Sequence, residues 1–216
     1  MSRDLSHTLP DRIHAAREAL AALDPALARA HLATPPFEWR LREGGFGGLI
    51  QMIVEQQVSV ASAAAIWKRF GEGMGTMTPE RVLSHDVDGL KRFGLSAPKA
   101  RYALHIAEAV QIGALDFDTL PTLDDDTAQA TLVALKGVGR WTAETYLMFC
   151  EGRLDMFPAG DVALQEGLRM AEGAEVRLTE KDLYVRAETW RPHRGVAAHL
   201  LWAFYGGVKR GEIVAG

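Results

Sequence analysis

The chain has 216 residues, 48% hydrophobic and 24% charged, the balance of an ordinary soluble globular protein. Its 24 Lys+Arg against 28 Asp+Glu leave a net charge of -4, which argues against bulk positive charge as a grip on nucleic acid. The single cysteine, Cys150, excludes a disulfide framework, a four-thiolate zinc site and a four-thiolate iron–sulfur cluster.

In chain order, the opening residues Met1 to His7 are too polar for a secretory signal, and no apolar run approaches the roughly 18 residues of a membrane span. A cytoplasmic setting is expected. Residues 11 to 31 carry Ile13, Leu20, Leu23, Leu27 and Ala30 at loose helical spacing, and Thr34-Pro35-Pro36 stops that helix. Gly44 to Gly48 reads as a flexible hinge before an apolar segment from Leu49 to Phe70, which Glu55-Gln56-Gln57 interrupts; Gly71 to Thr78 reads as a turn. Helical patterns then cover Pro79 to Leu83, Leu90 to Phe93 and Lys99 to Ala109, with Lys99 and Arg101 placed on a solvated face. Asp124-Asp125-Asp126 suits the first turn of a helix over Thr127 to Leu135, a better reading than a metal site because no other ligands cluster nearby. Helices follow over Arg140 to Glu151, Asp161 to Met170, Glu180 to Thr189 and His193 to Phe204. No strand alternation and no internal repeat is present, so the chain is expected to be all-α with about nine or ten helices.

Leu135-Lys136-Gly137-Val138-Gly139-Arg140-Trp141-Thr142-Ala143 carries the most information. Two glycines flank one apolar residue where one helix turns into the next, so Val138 can tuck inward while Gly137 and Gly139 leave the backbone bare. Main-chain N–H groups and the helix dipole then make an anion site that grips a phosphate without reading a base. A nucleotide P-loop needs Lys-Ser/Thr after its second glycine, and a dinucleotide fold needs a preceding strand; neither fits. A plain glycine turn with no ligand stays open on these residues alone. Further on, Phe157-Pro158-Ala159-Gly160-Asp161 places Asp161 at the start of a helix. Asp161 is either an ordinary cap or a carboxylate kept ionised by the helix dipole and facing a cleft.

These residues resemble the helix-hairpin-helix and Gly/Pro-Asp signature of the base-excision DNA glycosylases. Val54-Glu55-Gln56-Gln57-Val58-Ser59 and Phe93-Gly94-Leu95-Ser96 through Lys99-Ala100 are similar to the same superfamily, most nearly to its DNA-3-methyladenine glycosylase II branch. The likeness runs from about Gly45 to Tyr205. It implies a two-lobed helical bundle with a cleft between the lobes: one domain over 1–216, with one lobe at about 45–155, including the hairpin at 135–143, and the other at about 1–44 plus 156–216. It also implies that Gly137, Val138 and Gly139 hold the DNA backbone, often in the family with a monovalent cation on the hairpin carbonyls, and that Asp161 is the catalytic aspartate. Gln57 falls where the best-known alkylation enzyme has an apolar wedge, so a Gln there is a departure. The branches that also cut the backbone have a Lys where this chain has Trp141, which disfavours a Schiff base and a lyase step. The residues before Gly45 are too few for the extra N-terminal domain of the longer enzymes, so the short, monofunctional form is expected.

A duplex base must be flipped out before chemistry, and a cationic alkylated purine is both a good leaving group and attracted to aromatic faces by roughly 0.5 to 2 kcal/mol. Trp141 is the expected pocket aromatic, with Thr145 one turn on and sharing its face, and with His193 lining the cleft by resemblance. Tyr146 belongs to the core. Gln56 and Gln57 either hold a buried bend or face DNA, and the DNA face is expected. Arg140 and Arg194 join the hairpin as DNA contacts, although a solvated basic turn is as good a reading of Arg191 to Arg194. The other histidines, His7, His14, His31, His85, His105 and His199, show no metal-ligand spacing, so no metal and no cofactor is expected. The expected activity is hydrolytic release of alkylated bases such as 3-methyladenine from damaged double-stranded DNA, by a monomer that touches no membrane. A same-fold glycosylase for an oxidised or deaminated base and a non-catalytic lesion binder are the alternatives.

Overall fold

The computed structural model describes residues 9–39 and 41–214; the polar stretch Met1 to His7 lies outside them. Among the described residues the protein is all-helical, with 12 α-helices, two 3-10 turns and no strand. None of these helices is long and apolar enough to cross a membrane. The helix count exceeds the expected one because two segments, each counted as a single helix, are broken. The first break is at Asp24-Pro25, which separates α1 (Leu9–Leu23) from α2 (Pro25–Ala33). Asp24 Oδ1 accepts from the Ala26 N–H at 2.9 Å, and Pro25 supplies a fixed φ for the first helical position. Its other oxygen takes the Trp190 indole N–H at 2.7 Å and an ion pair with Arg186, so this acid is buried with its hydrogen bonds met. The second break separates α3 (Gly45–Glu55) from α4 (Val60–Met74) and is described with the site.

The chain forms two compact units, one from residues 41–152 and the other from the segments on either side. The 41–152 unit holds α3 and α4, then α5 (Pro79–Leu83), α6 (Val87–Arg92), α7 (Ala97–Gln111), α8 (Asp125–Val133) and α9 (Arg140–Cys150). Most of these starts are written in the sequence: Ser59, Thr78, Asp86, Ser96 and Asp124 each cap the following helix with a side-chain oxygen. The Asp124 triplet is thus a capped first turn. The Gly44 to Gly48 run is not a hinge: Gly44 caps α3 and the rest form its first turn. A Cβ at Gly48 would stand 2.2 Å from the Glu43 carbonyl oxygen, and the Gly45 N–H donates to the Tyr146 hydroxyl at 2.8 Å. Gly48 lets the chain entering α3 fold back tightly onto the helix, while the Gly45 N–H ties the helix start to α9 through Tyr146.

The flanking unit holds α1 and α2 with α10 (Val162–Glu172), α11 (Glu180–Ala187) and α12 (Arg194–Lys209). Val196, Ala197, Leu200, Leu201 and Phe204 of α12 are completely buried, each large side chain among them contributing about 1.5 to 3 kcal/mol of apolar burial. Gly167 lets α10 lie directly on α12, since a Cβ there would approach the Leu201 carbonyl oxygen to 2.7 Å.

Candidate active site and nucleic-acid interface

In the 41–152 unit, α8 ends at Val133 and α9 begins at Arg140, leaving Leu135 to Gly139 as a tight hairpin. Gly137 has φ +91°, and a Cβ on it would lie 2.3 Å from the Tyr102 ring. Val138 is buried and donates its N–H to the Leu135 carbonyl at 3.1 Å. Gly139 caps α9 with no side chain, and nothing stands within 4 Å of where its Cβ would be. The bend therefore turns its apolar residue inward and its bare backbone outward at the positive end of a helix, the geometry of an anion site.

Beside the hairpin lies a groove of about 580 Å³ walled by Gln56, Gln57, Ser96, Lys99, Tyr102 and the hairpin itself. The two glutamines part ways here. Gln56, expected on the DNA face, spends its amide on the fold, donating to the Gly137 carbonyl at 3.1 Å and to the Thr142 hydroxyl at 3.0 Å. Gln57 is exposed with φ +54°, a left-handed conformation that costs a non-glycine residue about 1 kcal/mol or more. Lys99 does not lie on a solvated face: its ammonium donates to the Val54 carbonyl at 2.8 Å and the Gln56 carbonyl at 2.7 Å, and burial lowers its pKa.

On α9, Trp141 is 41% exposed, so it is not a core aromatic. Thr145 corrects the expectation of a pocket residue. It is buried, and its hydroxyl bonds back to the Trp141 carbonyl at 2.8 Å and the Thr142 carbonyl at 3.1 Å. Tyr146 is buried as expected, which raises the pKa of its phenol. Arg140 is half exposed and pairs through Nε with the buried Glu144 at 3.0 Å, to which Gln129 also donates.

In the flanking unit, Asp161 caps α10. Its Oδ1 accepts from the Ala163 N–H at 2.9 Å, the Leu164 N–H at 3.1 Å and the Trp202 indole N–H at 3.1 Å. Pro158 and Ala159 are buried just before it, and Gln165 anchors the Ala159 carbonyl at 2.9 Å, so the approach to the carboxylate is rigid. Sequence reasoning missed Trp202, because an aromatic on an apolar helix has no pattern to separate it from core. His193 caps α12 through its backbone and is half-buried. The Arg191-Pro192 bond is cis and α12 starts only at Arg194, so Pro192 is outside the helix's first turn. Arg194, expected to meet DNA, is instead buried, donating to Asp155 at 3.1 Å and Glu188 at 2.6 Å. Two carboxylates neutralise it where a phosphate would have to compete. Among the described residues no cluster of His, Cys, Asp or Glu could hold a metal ion.

Behind Trp202 stands an aromatic stack. His199 lies face to face with Trp39 at 3.9 Å and edge-on to Trp202 at 5.6 Å, and burial lowers its pKa to about 4. An unfolded histidine takes up a proton near pH 6.5, whereas this one does so only near pH 4, so the unfolded chain binds more protons below pH 6.5. Stability is therefore expected to fall as pH drops from about 6.5 toward 4, by about 3 kcal/mol for this group. Thermal melting across that range should show the loss in the native protein and a shallower acid limb in His199→Phe.

An all-helical chain with a glycine hairpin at a helix start, and a carboxylate fixed at the cap of a second helix, is of the helix-hairpin-helix class. The chain belongs to the HhH-GPD superfamily of base excision DNA repair proteins, whose sequence profile matches residues 50–192. It is similar to the putative DNA-3-methyladenine glycosylase YfjP of Bacillus subtilis, 24% identical over 82% of this chain; the match spans 63% of that relative's length. The crystal structure of a DNA-3-methyladenine glycosidase from Bacillus halodurans superposes with a TM-score of 0.81 at 32% identity, covering 90% of this chain and 91% of that one. A 3-methyladenine DNA glycosylase from Schizosaccharomyces pombe, in complex with abasic DNA, superposes with a TM-score of 0.75 at 27% identity, covering 87% and 95%.

Proposed function

We propose that this protein is a monofunctional DNA glycosylase that hydrolyses the N-glycosidic bond of alkylated purines, 3-methyladenine among them, in damaged duplex DNA. The observation that carries this reading is the placement of Asp161 at the start of α10, its Oδ1 held by two backbone N–H groups and the Trp202 indole. All three donors fall on one oxygen, and the residue stands at the position of the family's Gly/Pro-Asp signature. Membership of a base excision repair superfamily and likeness to 3-methyladenine glycosylases support the substrate class.

In this mechanism the bare backbone around Gly137 and Gly139 holds a phosphate, the nucleotide leaves the stack, and the exposed Trp141 offers its ring to the cationic base. A ring already positive leaves without a general acid. The sugar left behind is oxocarbenium-like, and the Asp161 carboxylate stabilises it or activates the water that captures it. Trp141 stands where a lyase would need an amine, so release ends at an abasic site.

On duplexes carrying defined alkylated, oxidised or deaminated bases, the protein should release the alkylated purines and leave the backbone uncut; release of none would refute the reading, and release only of oxidised or deaminated bases would replace the substrate. Binding to a duplex with an abasic-site mimic should weaken by roughly 0.9 log units per tenfold salt for each phosphate neutralised. Affinity unchanged between low and high salt would speak against any phosphate grip.

A further inference from the structure

The turn between α3 and α4 is held from two sides, by the side chains of Lys99 and Gln56. Lys99, from the first turns of α7, places its ammonium on the Val54 and Gln56 carbonyls at the end of α3. Its acceptors are main-chain oxygens at the negative end of a helix rather than a carboxylate. Gln56 then reaches the other way, to the hairpin carbonyl of Gly137 and the hydroxyl of Thr142. Between these anchors sits Gln57, exposed and left-handed, with Val58 and Val60 exposed just after it at 38% and 88%. A fold that only needed to end a helix would place glycine at the left-handed position, as α10 does with Gly173. Here a strained polar tip with apolar flanks is kept instead, and the strain persists because its surroundings hold it.

We propose that Lys99 is a positioning residue for DNA distortion: it clamps the α3–α4 turn so that Gln57 holds its place when pushed against stacked bases, and through Gln56 it keeps that tip in register with the phosphate-gripping hairpin. This rests on the DNA-repair reading above. The clamp suits the load. Opening a base stack costs a few kcal/mol, and a turn free to relax would yield before the stack did. A charge-assisted hydrogen bond to each of two carbonyls resists that yielding better than neutral contacts would. The lowered pKa of Lys99 fits an ammonium drawn out of water onto the turn.

The test uses a duplex with a tetrahydrofuran abasic mimic opposite 2-aminopurine, whose fluorescence rises when the base is unstacked. With the native protein the signal should rise on binding. Lys99→Met should keep a cooperative melt, weaken binding about tenfold and lose most of the fluorescence rise, while Lys99→Arg restores both. Binding by Lys99→Met with an undiminished rise would overturn the proposal. So would equal loss in Lys99→Arg, or failure of Lys99→Met and Lys99→Gln alike to fold, because Lys99 would then be structural only. No base release by the native protein, with the fluorescence pattern intact, would sink the glycosylase reading and leave the clamp standing.

Discussion

Asp161→Asn is expected to fold and melt like the native protein yet release alkylated bases more slowly, by on the order of 10² to 10⁴. The reason lies in how the carboxylate is held. The two α10 N–H groups and the Trp202 indole all donate to Oδ1, and an asparagine carbonyl oxygen accepts the same three hydrogen bonds. The cap and its orientation survive, since Asn is as good at this position as Asp. What disappears is the negative charge facing a positive sugar, together with any basicity toward water. A loss of that size is about 3 to 5.5 kcal/mol of transition-state stabilisation, more than a misplaced cap alone would cost. Single-turnover release from a methylated duplex, alongside binding to an abasic duplex, separates the two contributions. Near-native release would remove Asp161 from the chemistry; equal losses in release and in melting temperature would make it a cap and nothing more.

Much of the fold was legible because its signals are local. Asp124, read as the first turn of a helix, reaches the N–H three residues on; Ser59, Thr78 and Ser96 cap their helices in the same way, although nothing in the sequence reading singled them out. The breaks at Asp24 and at Gln56 were harder. Asp24-Pro25 offered a cap and a proline, but an uninterrupted apolar period on both sides hid them, and the Trp190 and Arg186 partners that bury Asp24 come from the distant end of the chain. The hairpin was readable because a glycine requirement leaves a mark on the sequence. The residues around it were not, since polarity tells nothing of direction. Thr145 has the spacing of a pocket residue and turns its hydroxyl onto its own helix. Arg194 has the charge of a phosphate ligand and spends it on Asp155 and Glu188. Lys99 was read as solvated because its acceptors are carbonyls, which every residue has and no sequence displays.

The two hairpin glycines should separate folding from binding when each is changed to alanine. At Gly137 the backbone is left-handed, which costs an alanine roughly 1 to 2 kcal/mol, and the new methyl would sit 2.3 Å from the Tyr102 ring. Tyr102 belongs to a packed helix, and relief of such an overlap typically costs another 1 to 3 kcal/mol or so. Gly137→Ala should therefore lose about 2 to 5 kcal/mol of stability, a large part of what a domain of this kind has. At Gly139 the backbone has φ -82° and ψ 170°, which any residue adopts, and the added methyl would meet nothing. Gly139→Ala should melt within about 0.5 kcal/mol of native. Its methyl nevertheless stands where bare backbone must approach a phosphate, and displacing an anion by even an ångström from N–H donors forfeits most of a charge-assisted hydrogen bond. Binding of Gly139→Ala to an abasic duplex should weaken by about tenfold or more, with a smaller salt slope. Denaturant titration and fluorescence anisotropy on the same pair of variants read both effects. If Gly139→Ala binds as tightly as the native protein, the hairpin is a packing turn and the phosphate must be held elsewhere; if Gly137→Ala is as stable as native, the left-handed bend is not what fixes its shape.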